Sequence, residues 1–174
     1  TDDEASVKTP KFSQETLKVE MDGKRPVTPT EVEQMSGESV AGVSVDGCGA
    51  PLFLFSLLGL ARAIRNLTIS ADPVHQEVAQ ACRDYPEMVS GPGRLSTRMM
   101  QKIPGLFMKD GAEAVNVTSL TDGRTLAIKI SDGNARAMPA ITTAALAKFG
   151  IDAQEVPVNT LGAGLPVGII RATF

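Results

Sequence analysis

The chain has 174 residues, 43% of them apolar, which suits one globular domain with a real core. Its net charge is −3, with no Trp and one Tyr, so neither a phosphate backbone nor stacked single-strand bases make a fitting partner. The longest apolar run, residues 50–61, is too short to span a bilayer and ends at Arg62, and no signal peptide is visible.

Residues 1–28 are the least patterned. Up to Ser39 the chain holds nine acids against five bases, and beyond it eleven against twelve. The start therefore reads as an acidic arm, with one short strand at residues 18–21 and Asp22-Gly23 as its turn. Thr28-Pro29-Thr30-Glu31 is a helix-start signal for a helix ending near Ser36, before Gly37. Residues 40–46 alternate as a strand. Residues 51–66 are apolar almost all round and predict a buried central helix. Asp72-Pro73 opens another helix to about Tyr85, with Val74, Val78, Ala81 and Cys82 on one face, and Pro86 stops it.

After the loop Ser90-Gly91-Pro92-Gly93, a short helix is predicted from residue 95 or 96 to 102. Strands follow at residues 106–109, 113–120 and 124–131, the last two joined by Thr121-Asp122-Gly123. Residues 134–149 read as helical, restarted near Met138 by Pro139 and capped by Gly150. Residues 157–166 read as a Gly/Pro loop and residues 167–174 as a final strand. Antiparallel strands clustered after helices imply an α+β fold.

Few residues carry chemistry. His75 is the single histidine, so a two-histidine metal site is excluded, and at a helix start it reads as a surface residue. Cys48 and Cys82 lack metal-type spacing and read as reduced thiols of a cytoplasmic protein. In Val45-Asp46-Gly47-Cys48-Gly49-Ala50-Pro51, Cys48 is expected beside the N-terminus of the 51–66 helix, whose dipole favours thiolate. A metal ligand, a reactive thiol and a small residue in a tight turn all remain open there.

Arg94 sits behind a glycine-rich loop with Ser96 and Thr97 close after it. It can hold a substrate carboxylate through two parallel hydrogen bonds, or be solvated while Ser96 caps the next helix. Lys109, in Lys109-Asp110-Gly111, is expected at the end of a strand, at the mouth of a hairpin. It can serve as a base or a cationic anchor, or be an ordinary surface lysine neutralised by Asp110 and Glu113. Asp132-Gly133-Asn134 and Arg136 read as a structural turn.

Together these segments resemble the rhizobial-type L-asparaginases, the asparaginase II family. The resemblance rests on the Val45–Pro51 stretch, Leu60-Ala61-Arg62-Ala63, Tyr85-Pro86-Glu87-Met88-Val89-Ser90-Gly91 with Arg94 and Thr97, Met108-Lys109-Asp110-Gly111-Ala112-Glu113-Ala114, and Leu126-Ala127-Ile128-Lys129-Ile130-Ser131-Asp132-Gly133 with Arg136-Ala137. It implies a fold like that of serine β-lactamases and penicillin-binding proteins, and hydrolysis of asparagine to aspartate and ammonia through Ser-Lys pairs. By it, Lys109 is the lysine of such a pair, Arg94 and Thr97 lie at the substrate cleft, Cys48 is a zinc ligand, and Asp46 stands in the shell around it.

The departures are equally specific. No Ser-x-x-Lys occurs anywhere in the chain, and no Cys-Ser-Gly-Lys-His run. The expected organisation is an acidic arm over residues 1–35 and the C-terminal part of an asparaginase II-like domain over residues 36–174. That part would work with a missing N-terminal half or as a homodimer, or act as a noncatalytic binding or assembly module. Zinc is expected to bind weakly or not at all, since one thiolate cannot close a zinc site.

Overall fold

The computed structural model describes residues 28–154 and 157–174. The acidic arm and the strand expected at residues 18–21 lie outside the described residues.

Helix α1 (Pro29–Ser36) starts as its sequence predicts. The Thr28 hydroxyl accepts the Glu31 N–H, the Glu31 carboxylate accepts the Thr28 N–H at 2.8 Å, and Gly37 closes the helix at φ 72°. Strand β1 (Gly42–Val45) pairs antiparallel with β2 (Pro51–Leu54).

The second strand is a correction: residues 51–54 are extended where a helix was expected. A short apolar run does not reveal its period, and Pro51 opens a strand here rather than a first helical turn. The helix α2 (Leu57–Ile69) begins at Ser56, whose hydroxyl accepts the Gly59 N–H at 2.9 Å. Glu38 in turn accepts from both the N–H and the hydroxyl of Ser56. Nor is α2 buried all round, for Leu57 and Leu58 are exposed and Gly59 is its buried residue.

Asp72 caps α3 (Pro73–Asp84) by accepting the Val74 N–H at 2.8 Å. Its packed residue is Ala79, 1% exposed, while Val74 and Val78 face outward. The apolar face expected of Val74, Val78, Ala81 and Cys82 is thus not the packed one. A small side chain brings helices close, and α3 packs through it rather than through its valines. Pro86 ends α3 and also opens the short α4 (Pro86–Ser90), and α5 (Leu95–Lys102) follows after Gly91-Pro92-Gly93.

Strands β3 (Phe107–Gly111), β4 (Val115–Ser119) and β5 (Thr125–Lys129) form an antiparallel sheet in that order. A 3-10 turn (Ala135–Ala137) leads into α6 (Met138–Lys148). The core lies between α5, this sheet and α6: Met99, Met100, Ile103, Leu106, Met108, Leu120, Leu146 and Ala153 pack as one cluster.

The end of the chain holds the second correction. Residues 158–162 are not loop but β6 (Val158–Gly162), paired with β7 (Leu165–Ile170). Ala163 and Gly164, at φ 48° and 81°, make the two-residue turn between them. Two consecutive left-handed residues are what such a hairpin turn requires, and its Gly-rich sequence resembles plain loop until the pairing is seen. Among the described residues the architecture is α+β, small antiparallel sheets with flanking helices. No helix among them is long and apolar enough to cross a membrane.

Candidate functional site

Lys109 lies inside β3, opposite Val117 of β4, not at the strand's end. Strand alternation sets its direction. Met108 and Asp110 face α5, since Met108 packs with Met99 and Met100 of that helix and Asp110 bonds Ser96. Lys109 therefore stands on the other face of the sheet, exposed, with its ammonium donating to the Asp110 backbone carbonyl. There it faces α3, close enough to act electrostatically on Cys82. Burial pushes the Cys82 thiol up, and the positive charges of Lys109 and Arg83 oppose that shift. Neither Asp110 nor Glu113 makes a salt bridge with Lys109, so neither neutralises it as expected.

The Asp110 carboxylate has other partners. Its Oδ2 accepts the Ser96 hydroxyl at 2.6 Å and the Ser90 hydroxyl at 3.1 Å, and its Oδ1 accepts the Asn116 amide at 2.9 Å. Thr118 then donates to Asn116 Oδ1 at 2.9 Å. Ser96, Asn116 and Thr118 are fully buried, so the donors are satisfied by one another and not by water. Sequence reasoning missed this network. Its signal was a polar side chain at the face of β3 and β4 turned towards α5, visible only once the register is known.

Arg94 is exposed, at the N-cap position of α5. Thr97, also placed at the cleft by resemblance, is 1% exposed, and its hydroxyl donates to Gly91 O at 2.6 Å and Pro86 O at 3.2 Å. It pins the loop that presents Arg94. Gly91 itself, at φ 97° and ψ 156°, occupies a region open essentially to glycine alone. Ser96 is not the helix cap; its hydroxyl points to Asp110 instead.

Turning from β3 into β4, Glu113 and Ala114 both sit at φ 55°. Two successive left-handed non-glycine residues are strained. The Lys129 ammonium on Glu113 O at 2.7 Å and the Ile130 N–H on Ala114 O at 3.0 Å hold them there.

Cys48 and Asp46 lie in the turn between β1 and β2, both exposed. No helix begins beside Cys48, so the expected dipole effect on its thiol is withdrawn with the 51–66 helix. Asp46 Oδ1 accepts the N–H groups of Cys48 and Ala50 at 2.9 and 3.1 Å. The Cys48 thiol foremost, and then these backbone N–H groups, hold the Asp46 carboxyl below its usual range. Cys48 and Asp46 supply two potential ligands, and no group of three His, Cys, Asp or Glu suited to a metal stands among the described residues. That donor set does not fit a closed four-ligand zinc site.

Two cavities stand out among the described residues. One of about 500 Å³ is lined by α2 and α3, including Thr68, Gln80 and Arg83, and one of about 360 Å³ lies between α6 and the last hairpin. Burial lowers the Arg83 guanidinium, whose Nε and Nη2 are buried without a hydrogen-bond partner among the described residues. The candidate site residues thus fall in two parts, Lys109 on one side of β3 and the Arg94 loop on the other, with Asp110 between them.

Fold and site together define an α+β domain that carries cationic side chains at a sheet edge and loop but no visible nucleophile motif. Residues 25–164 match the L-asparaginase II family, and the chain belongs to it. No curated protein matches the chain.

Proposed function

We propose that the chain is part of an amidohydrolase that converts asparagine to aspartate and ammonia, with Lys109 as the proton carrier. The observation that carries this reading is the family match across a segment that includes Lys109. Lys109 is exposed on β3 and, among the described residues, no carboxylate is paired with it; its amine donates to the Asp110 carbonyl. A serine Oγ attacks the side-chain amide carbonyl while the Lys109 amine takes the hydroxyl proton. That proton passes to the departing nitrogen, which leaves as ammonia. Water then cleaves the ester, releasing aspartate and restoring the serine. Backbone N–H groups would hold the oxyanion, and Arg94, coming round the edge strand β3 from its other side, would hold the substrate's α-carboxylate.

The serine must come from a segment or second chain carrying Ser-x-x-Lys, since this sequence has none. A serine β-lactamase-like scaffold is part of the reading, supported by the β3–β4–β5 sheet with helices packed on it. So is a cytoplasmic setting, supported by two free thiols. Zinc is not needed for any step.

A second reading, a noncatalytic binding or assembly module, is favoured by exposed apolar side chains. Met88 is 82% exposed, and Leu161, Leu165, Val167 and Ile169 of the last hairpin are exposed together. Ammonia release from asparagine separates the two. The chain alone is expected to give none, and full turnover by residues 1–174 alone would overturn the need for an outside serine. In an active assembly that includes this chain, Lys109→Ala should lower kcat by about 10²–10⁴-fold. Unchanged kcat would remove Lys109 from the mechanism.

A further inference from the structure

We infer that Asp110 is a positioning residue that sets both halves of the site, the Arg94 loop through its side chain and the Lys109 amine through its main chain; the inference rests on the amidohydrolase reading for what those halves do. Asp110 is the residue that touches both. Its Oδ2 accepts from Ser90 and Ser96, which bracket the loop Gly91-Pro92-Gly93-Arg94 six residues apart. Two ends tied to one oxygen close the loop into a ring, and breaking either bond opens it. Within the ring, Gly91 O accepts the Thr97 hydroxyl at 2.6 Å and Gly93 O accepts from Arg98 at 2.5 Å, so the stretch before Arg94 is fixed on both sides.

The same carboxylate grips Asn116 across the strand pair, Asp110 and Asn116 being direct register partners. Hydrogen bonds to an ionised carboxylate are short and strong, and here three donors share one. Because neighbouring side chains in a strand point to opposite faces, holding Asp110 against α4 and α5 holds Lys109 out on the other face. The Asp110 carbonyl then takes the Lys109 ammonium. A carboxylate beside a catalytic lysine is commonly read as its counter-ion. Here the carboxylate faces away and acts through the chain.

The test compares the wild-type chain with Asp110→Asn, which keeps the shape and removes the charge, and with Ser96→Ala, which keeps the carboxylate and removes one tie. Three readouts are taken: amide hydrogen exchange, the NMR signal of ¹³C-dimethylated Lys109, and L-aspartate binding followed at the Arg94 side chain. In Asp110→Asn, exchange across residues 91–94 should rise at least about tenfold while Met99 and Met100 stay protected, and the Lys109 signal should shift. Ser96→Ala should loosen the loop and leave the Lys109 signal in place. Loop exchange and a Lys109 signal both unchanged in Asp110→Asn would overturn the inference, as would Ser96→Ala leaving the loop unchanged should Asp110→Asn fail to fold. Absence of L-aspartate binding in the wild type counts against the amidohydrolase reading instead, and exchange still decides the clamp.

Discussion

Asp46 and Cys48 are bound to each other within one turn: the carboxylate of the first accepts the N–H of the second at 2.9 Å, and that of Ala50 at 3.1 Å. The turn between β1 and β2 is thereby shaped by a residue that also interacts with the thiol. Asp46→Ala should free this turn and raise the rate at which a disulfide reagent modifies Cys48, several-fold over Asp46→Asn, which can still accept both N–H groups. Equal rates in the two variants would show that the carboxylate does not order the turn. With one thiol and one carboxylate at hand, zinc should remain substoichiometric by elemental analysis. Stoichiometric zinc that is lost in Cys48→Ala would reverse that expectation.

Acid should open three turns together. Hydrogen bonds from Cys48 and Ala50 lower Asp46, the Arg124 side chain lowers Asp122, and the Asn134 N–H followed by Arg136 lowers Asp132. A carboxyl lowered in the folded chain stabilises it above the unfolded pKa, about 3.9 for Asp. That stability is lost as pH falls through the folded pKa. The turns should thus persist down to about pH 3.9 and come apart below it. Carboxyl ¹³C titration should place all three midpoints below that of a free Asp side chain, and a midpoint at or above it would contradict the turn geometry.

The β3–β4 turn stores strain that a single change should release. Glu113 is exposed and left-handed at φ 55°, a conformation that costs a non-glycine residue about 1–2 kcal/mol. Glu113→Gly keeps the backbone carbonyl that accepts Lys129. Against it stands the larger chain entropy of glycine in the unfolded state, about 0.5–1 kcal/mol. The expected net gain is about 1 kcal/mol or less, read as a small rise in Tm. A fall in Tm would mean that the Glu113 side chain contributes more than its backbone costs.

Local signals in the sequence were enough where a residue acts on its own neighbours. The Thr28–Glu31 capping box, Asp72 before Pro73, and Thr121-Asp122-Gly123 between β4 and β5 all place their elements as the residues indicate. They failed where a partner far along the chain decides. Residues 51–54 are a strand because β1 is there to pair with them, and residues 158–162 because β7 returns beside them. The same limit hid the site's middle. Asp110 beside Lys109 suggests a counter-ion until the register turns one inward and the other out. Thr97 after Arg94 suggests a substrate hydroxyl until α4 is seen to bring Pro86 O within its reach.

Thr97 separates a loop pin from a substrate contact. Its hydroxyl is buried and donates to Gly91 O and Pro86 O. Thr97→Val keeps the shape, removes the donor and leaves Gly91 O with only the long 3.4 Å contact from the Arg94 N–H, at a cost of about 1–3 kcal/mol. Thr97→Ser keeps the donor and loses one methyl group, at about 1 kcal/mol. If Thr97 is the pin, Thr97→Val should unfold at a lower denaturant midpoint than Thr97→Ser, with faster exchange at residues 91–94. If instead its hydroxyl serves substrate, the two variants should be equally stable, and Thr97→Val should differ only in L-aspartate affinity. The 2.6 Å contact with Gly91 O favours the first outcome. It would make Thr97 the second tie, after Asp110, that fixes where Arg94 stands.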